Sequence, residues 1–212
     1  MTNHSREARP AHYFARRPAA GQRPREVVAT LRGLRCRFHT DAGVFSPGGI
    51  DRGTELLIET MELPAEGEVL DWGCGYGPIG IVAAAIAPGC RVTLGEVNER
   101  AVELTRENVR LNNVGNVYVA GGDLFAWLPD LTFDVILTNP PIRAGNRVLF
   151  RLIEDCAQSL RPGGSFWLVG RRKQGIATLA RKMGRCLADV QTVAAKAGYR
   201  VLRATDPKSI WP

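Results

Sequence analysis

One stretch constrains this chain more than any other: Val69-Leu70-Asp71-Trp72-Gly73-Cys74-Gly75-Tyr76-Gly77, an apolar run that meets an acid and then breaks into glycine at every second position. It reads as a buried strand closing on Asp71, a tight turn, and a helix beginning at Pro78, whose ring suits a first helical turn. Glycine is needed there because a Cβ would keep the backbone from approaching a ligand and from taking positive φ. A second strand, Arg91-Val92-Thr93-Leu94-Gly95, ends in Glu96, at the spacing where dinucleotide-type folds place an acid on a ribose. A plain connecting loop does not account for two acids so spaced.

The remaining chain alternates short apolar strands with helices. Strands are expected at 68–71, 91–95, 116–120, 133–137 and 165–169, and helices at 78–87, 98–112, 146–160 and 176–187. Such alternation means an α/β fold, a mostly parallel sheet with helices on both faces. Two closing strands, 190–194 and 199–204, are joined by Ala195-Lys196-Ala197-Gly198, too short for a parallel crossover, so the final strand is reversed. Ahead of the glycine turn, 26–40 reads as a hairpin broken at Arg32-Gly33. Asp41 to Ile50 is rich in turn residues, and Asp51 caps a helix expected to run through Leu63. The domain division is then a basic arm at 1–25 and one domain at 26–212.

Charge is unevenly spread. Residues 1–40 carry nine Lys/Arg against two acids and 143–212 carry fourteen against four, whereas 41–142 carry five against fifteen. Basic flanks around an acidic middle suit an anionic macromolecule, nucleic acid first, or else simply form solvated faces. The five cysteines make no CxxC pair and no metal-like cluster, and read as reduced, buried thiols of a cytoplasmic protein. No apolar run is long enough to span a bilayer.

Ligands in open α/β sheets bind beyond the carboxyl ends of the strands, where this chain collects Asp71 with Gly73, Gly75 and Gly77, then Glu96, Asp123 and Asn139-Pro140-Pro141. The glycine spacing departs from the dinucleotide fingerprint, with Pro78-Ile79 where the third glycine is sought. Acids at three strand ends also disfavour a pyrophosphate. They suit a cationic, phosphate-free ligand with a ribose diol and an amino acid part. Two of these acids keep a second reading: Asp123 as the cap of a helix at Leu124, and Glu96 as a surface acid.

Together these residues resemble a class I S-adenosylmethionine-dependent methyltransferase, with its Rossmann-like sheet and reversed last strand. Gly43-Val44-Phe45-Ser46 with Asp51, Asn139-Pro140-Pro141-Ile142 with Arg143-Ala144-Gly145, and Gly198-Tyr199-Arg200-Val201 are similar to the small methyltransferase domain of the RsmC type, guanine-N2 methyltransferases of small-subunit ribosomal RNA. The resemblance implies S-adenosylmethionine as cofactor. Gly73, Cys74, Gly75 and Gly77 then lie along its methionine part, Asp71 toward its ammonium and Glu96 on the ribose. Asp123 meets the adenine amine, Val97 and Leu124 flank the ring, and Phe45 with Ser46 covers the ligand. Asn139 lies next to the transferred methyl.

Asn139-Pro140-Pro141-Ile142 is the implied catalytic segment. An exocyclic amine is a poor nucleophile because its lone pair is delocalised into the ring. Acceptors on both amine hydrogens, the Asn139 side-chain oxygen and the Pro140 carbonyl, would free that pair, and the prolines stiffen the loop that holds them. Ile142 stands where the family often has a base-stacking aromatic, so Tyr13 or Phe14 is a candidate for that task. Arg143, Arg147, Arg171, Arg172 and Lys173 are candidate phosphate contacts, or solvated charges. The expected activity is methyl transfer to a guanine amine in small-subunit ribosomal RNA, with RNA or a ribosomal particle as partner and no membrane. A monomer is expected. Two alternatives stand beside it: transfer to adenine in nucleic acid or to protein glutamine, and a non-catalytic S-adenosylmethionine-binding RNA assembly factor.

Overall fold

Successive side chains of a strand point to opposite faces, and that period of two builds two cores in this molecule. The computed structural model describes residues 23–127 and 131–208. The basic arm, with Tyr13 and Phe14, lies outside the described residues apart from its last positions. A hairpin comes first, β1 (Arg25–Leu31) and β2 (Leu34–Thr40), a two-stranded sheet of its own. Then follow α1 (Arg52–Thr60), β3 (Glu66–Trp72), α2 (Pro78–Ile86), β4 (Gly89–Glu96), α3 (Glu99–Leu111), β5 (Val117–Gly121), α4 (Leu124–Trp127) and β6 (Phe133–Thr138). The chain continues through α5 (Asn146–Gln158), β7 (Leu160–Arg171), α6 (Ile176–Cys186), β8 (Leu187–Lys196) and β9 (Tyr199–Pro207).

Seven strands form the main sheet in the order β5-β4-β3-β6-β7-β9-β8, and the five from β5 to β7 are parallel. β9 is antiparallel to both its neighbours, so the reversed strand is the last in the chain but not at the edge of the sheet. Val69, Val135, Leu137, Trp167, Val169 and Val201 pack with α1, α2 and the hairpin on one face. Leu70, Ile136, Phe166, Leu168 and Leu202 pack with α5 and α6 on the other. The sheet is thus covered on both sides, as the near-continuous apolar strands require.

Several expectations are corrected. α1 stops at Thr60 rather than Leu63, because Met61 takes an extended ψ of 141° as its cap and Pro64 lies just beyond. β7 starts at Leu160, and Arg161-Pro162-Gly163-Gly164 lies inside it: Phe133 pairs with Leu160 and Val135 with Ser165, so the extra residues are taken up as an irregularity in the strand. β8 and β9 are longer than the apolar residues alone suggest, and meet in a two-residue turn, Ala197 (φ 49°) and Gly198 (φ 81°). The first hairpin likewise turns on Arg32 and Gly33, both at positive φ, as its register Leu31↔Leu34 demands.

The hairpin reaches the main body through an asparagine of α3, Asn108, and the asparagine that caps its end, Asn112, one helical turn apart. Asn108 accepts from His39 N–H at 2.6 Å and donates to His39 C=O at 2.9 Å, and Asn112 does the same for Arg37 at 3.0 and 2.6 Å. Their side-chain amides thereby stand in for a strand along the free edge of β2. Among the described residues no helix is long and apolar enough to cross a membrane, and all five cysteines are buried and unbridged.

Candidate functional site

β3 and β6 are neighbours, yet α2 leaves β3 for one face of the sheet while α5 follows β6 on the other, so a crevice opens between their carboxyl ends. The glycine turn lies on one side of it and Asn139-Pro140-Pro141 on the other. Further along the rim stand Glu96 and Asp123 at the ends of β4 and β5, and Arg171 at the end of β7. Because β9 runs the other way, it is the start of that strand, Tyr199, that reaches the same rim.

Asn139 is held by its amide nitrogen. Nδ2 donates to Asp51 Oδ2 at 3.1 Å and to Thr54 Oγ1 at 2.9 Å. A carboxylate only accepts, so the contact with Asp51 fixes which end of the amide is nitrogen, and both amide hydrogens are committed inside the protein. What remains is Oδ1, an acceptor. Asp51 is itself the cap of α1, taking Gly53 N–H at 2.8 Å and Thr54 N–H at 3.2 Å on Oδ2, while Oδ1 accepts the Tyr199 hydroxyl at 2.8 Å. Burial and that carboxylate hold the Tyr199 hydroxyl above the usual phenol range, so it stays a donor. Pro140 C=O accepts from Ile142 N–H at 2.9 Å, which leaves one of its lone pairs for another donor.

The acids expected to hold a cofactor lie under the glycine turn as much as beside it. Asp71 is fully buried. Oδ2 accepts from Gly80 N–H at 2.8 Å, and Oδ1 has no partner. Burial pushes its carboxyl up to about 7 against the pull of the Gly80 N–H. Glu96 takes Gly75 N–H at 2.9 Å on one oxygen and both Val97 and Asn98 N–H at 2.9 Å on the other; burial raises it as well. It is therefore no surface acid: it is 8% exposed. Asp123 caps α4, accepting from Phe125 N–H at 3.1 Å, which is the second of the two readings of that residue. Leu124 is buried in the α5/α6 core, and Cys74 is buried with its thiol against Thr105 Oγ1 at 3.7 Å. The turn itself is anchored from α3, since Thr105 donates to Gly75 C=O at 2.8 Å and Asn108 to Tyr76 C=O at 2.8 Å.

Two cavities meet at Asn139. The larger, about 420 Å³, is lined by Phe45, Asp51, Asn139, Pro140, Pro141 and Ile142, and by Arg143, Gly170, Arg171, Gln174 and Tyr199. The smaller is a cleft of about 20 Å³ between the glycine turn and the Phe45-Ser46 segment, and it shares Phe45, Asp51 and Asn139 with the first. These three residues thus lie between the two. The segment is pinned at its base, where Asn98 Nδ2 donates to Gly43 C=O at 3.0 Å, and at its tip, where the Tyr76 hydroxyl donates to Gly49 C=O at 3.1 Å. A ligand the size of a nucleoside enters the cleft only if the part between yields.

The residues present fit a cationic nucleoside ligand. A Cβ built on Gly73 meets nothing within 4 Å, so that open space is a cradle a side chain would fill. The buried Asp71 oxygen lacks a partner, and two carboxyls raised by burial are relieved by a nearby positive charge. Reasoning from the sequence did not assign roles to Thr54, Tyr199 or Gln174. The signals available for Tyr199 are its family-like segment Gly198-Tyr199-Arg200-Val201 and its place at the head of a reversed strand, which brings it to the rim.

A model of the family described as "Methyltransferase small domain" matches residues 35–203. The chain is 39% identical to YbxB of Bacillus subtilis, an uncharacterised protein, over 91% of this chain and 97% of that one. It is 30% identical to ribosomal RNA small subunit methyltransferase C of Hamiltonella defensa over 80% of this chain and 50% of that protein. Among solved structures, T. thermophilus 16S rRNA methyltransferase RsmC, in complex with AdoMet and guanosine, superimposes with a TM-score of 0.70 at 28% identity, covering 89% of this chain and 52% of that one. The chain therefore spans about half the length of these two ribosomal RNA methyltransferases.

Proposed function

Since the chain belongs to the methyltransferase small-domain family, we propose that it transfers a methyl group from S-adenosylmethionine to the exocyclic amine of a guanine in ribosomal RNA. The observation that carries this reading is the commitment of both Asn139 amide hydrogens to Asp51 and Thr54, which leaves this residue of the cavity wall only an acceptor, Oδ1, to offer a ligand. Two ribosomal RNA methyltransferases among its relatives, one of which acts on N2 of a guanosine, support the choice of substrate.

Gly73, Gly75, Glu96 and the Phe45-Ser46 segment are the residues that would hold the cofactor, with Asp71 supplying negative charge from beneath. When bound, S-adenosylmethionine supplies a methyl on a positively charged sulfur. Asn139 Oδ1 and the open lone pair of Pro140 C=O accept the two hydrogens of the substrate amine. Doing so draws the nitrogen toward tetrahedral geometry and localises its lone pair for attack. Pro140 and Pro141 fix φ, so these acceptors do not need to be ordered when the base arrives. Arg143 lines the cavity, and it and the exposed Arg147, Arg172 and Lys173, which follow β6 and β7 in the chain, suit the phosphates on either side of the target base. The five buried, unbridged thiols support a reducing compartment, the cytoplasm, as the place where it works.

Incubation with methyl-labelled S-adenosylmethionine and ribosomal RNA or particles from cells lacking the protein tests this, with digestion to nucleosides to identify the product. N2-methylguanosine is expected, and Asn139→Ala should lower turnover on the order of 100-fold while RNA binding persists. Label in protein glutamine or in adenosine would replace the reading. Undiminished transfer by Asn139→Ala would remove its mechanism.

A further inference from the structure

We propose that Arg171 is the residue that selects guanine, by donating from its guanidinium to O6 and N7 of the base whose amine Asn139 engages. The inference rests on the reading above and adds to it the group that reads the base. Three observations lead there.

The first is position. Thr138 is in register with Leu168, so Arg171 stands three residues further out on the neighbouring strand, about 10 Å along the strand direction. Asn139 and Arg171 both line the larger cavity, Asn139 half-buried just past the end of β6 and Arg171 exposed at the end of the neighbouring β7.

The second is chemistry. The two ends of the cavity are opposite in kind: an acceptor at Asn139 and a planar fork of donors at Arg171. Guanine is opposite in the matching sense, with an amine at one edge and two acceptors, O6 and N7, toward the other. Arginine paired bidentately to O6 and N7 is the commonest base-specific contact in nucleic-acid recognition. Adenine presents a donor where guanine has O6, so the same fork rejects it.

The third is that Arg171 is held. Its guanidinium lies 4.8 Å from the centre of the Tyr199 ring, a cation–π contact that fixes the plane of the fork. The ring packs so closely on Gly53 that a Cβ there would lie 2.7 Å from it, and the Tyr199 hydroxyl ends on Asp51. Asp51 also orients Asn139. A single carboxylate thus sets the position of the reader and of the acceptor, and the distance between them is a built feature of the site. A surface cation meant for phosphate needs no such support.

Guanosine 5′-monophosphate and 2-aminopurine riboside 5′-monophosphate separate this role from a phosphate contact. The second compound keeps the exocyclic amine and the phosphate but lacks O6. Binding of each to the wild-type protein and to Arg171→Ala, loaded with S-adenosylhomocysteine, is measured by calorimetry or ligand-observed NMR. The wild type is expected to prefer the guanine compound by about tenfold or more, and Arg171→Ala to bind both within threefold of each other. Arg171→Lys, with charge but no fork, should retain only part of the preference. A wild type without preference, or an Arg171→Ala protein weakened equally toward both compounds, overturns the proposal. Methyl transfer to guanine in ribosomal RNA with unchanged base preference in Arg171→Ala would sink the inference alone; transfer to another base would sink the reading beneath it.

Discussion

The Tyr199 hydroxyl donates to Asp51 Oδ1 at 2.8 Å, joining the head of the last strand to the cap of the first helix across 148 residues of chain. Asp51 passes that constraint to Asn139 through its other oxygen. The amide at the centre of the site is therefore steadied from both ends of the sequence.

Tyr199→Phe removes the hydroxyl and keeps the ring against Gly53 and Arg171. The expected cost to folding is about 1.5–3 kcal/mol, the range for a hydrogen bond to a charged group, measured by urea unfolding. Turnover should fall while KM for S-adenosylmethionine stays near its wild-type value, because the glycine turn is untouched. Unchanged turnover per folded molecule would mean that the hydroxyl serves stability only.

The glycines of the turn should divide into two kinds. Gly77 has φ 97°, and a Cβ there would lie 2.9 Å from Ile81 Cδ1 and 3.2 Å from Thr105 Cγ2. Gly73 has φ 72° with open space around it. Gly77→Ala is thus expected to cost more stability than Gly73→Ala, whose strain is about 1–2 kcal/mol. Gly73→Ala should instead show the larger loss of S-adenosylmethionine affinity, read by calorimetry against the melting temperature of each variant.

Stability should fall as pH rises from about 4 past 7. Asp71 is raised to about 7 in the folded protein, so across that window the native state keeps a proton the unfolded chain has released. The displacement corresponds to on the order of 4 kcal/mol, present in full below the unfolded value and lost through the folded one. Asp71→Asn should flatten the slope without abolishing it, since Glu96 is raised by burial too. A wild type whose unfolding midpoint climbs between pH 5 and 8 would contradict this.

Much of the site was legible because its parts are contiguous. The strand, the alternate glycines and Pro78 are local choices that agree with one another, and helix α2 begins at Pro78 as the sequence predicts. Asn139-Pro140-Pro141 carries its stiffness in its own residues. Tyr199 and Thr54 were not legible in the same way, because what they do depends on partners 148 and 85 residues away and on the direction of a strand. Glu96 was placed on the right strand end, yet its bonds to Gly75, Val97 and Asn98 are made by turns whose geometry no pattern of residue types states. The end of α1 was misread for a related reason: Met61 and Leu63 continue an apolar series, but backbone at Met61 has already left the helix.

Asn108 offers a further test of how the hairpin and the turn are joined. Its side chain is fully buried and serves His39 N–H, His39 C=O and Tyr76 C=O. Asn108→Ala leaves those groups without their partner, at about 3 kcal/mol or more if water does not reach them. Hydrogen exchange should then quicken at His39 and through the glycine turn together. Loss of protection confined to the hairpin would show that the two are independent.

Since β9 runs against both its neighbours in the main sheet, the two-residue turn at Ala197-Gly198 sets which of its side chains look toward the crevice. Deleting one residue there would rotate every position of the strand by half a period, swinging the phenol away and leaving Asp51 to hold its amide from one side. The geometry at Asn139 is in that sense a matter of counting, decided by the length of a bend far down the chain.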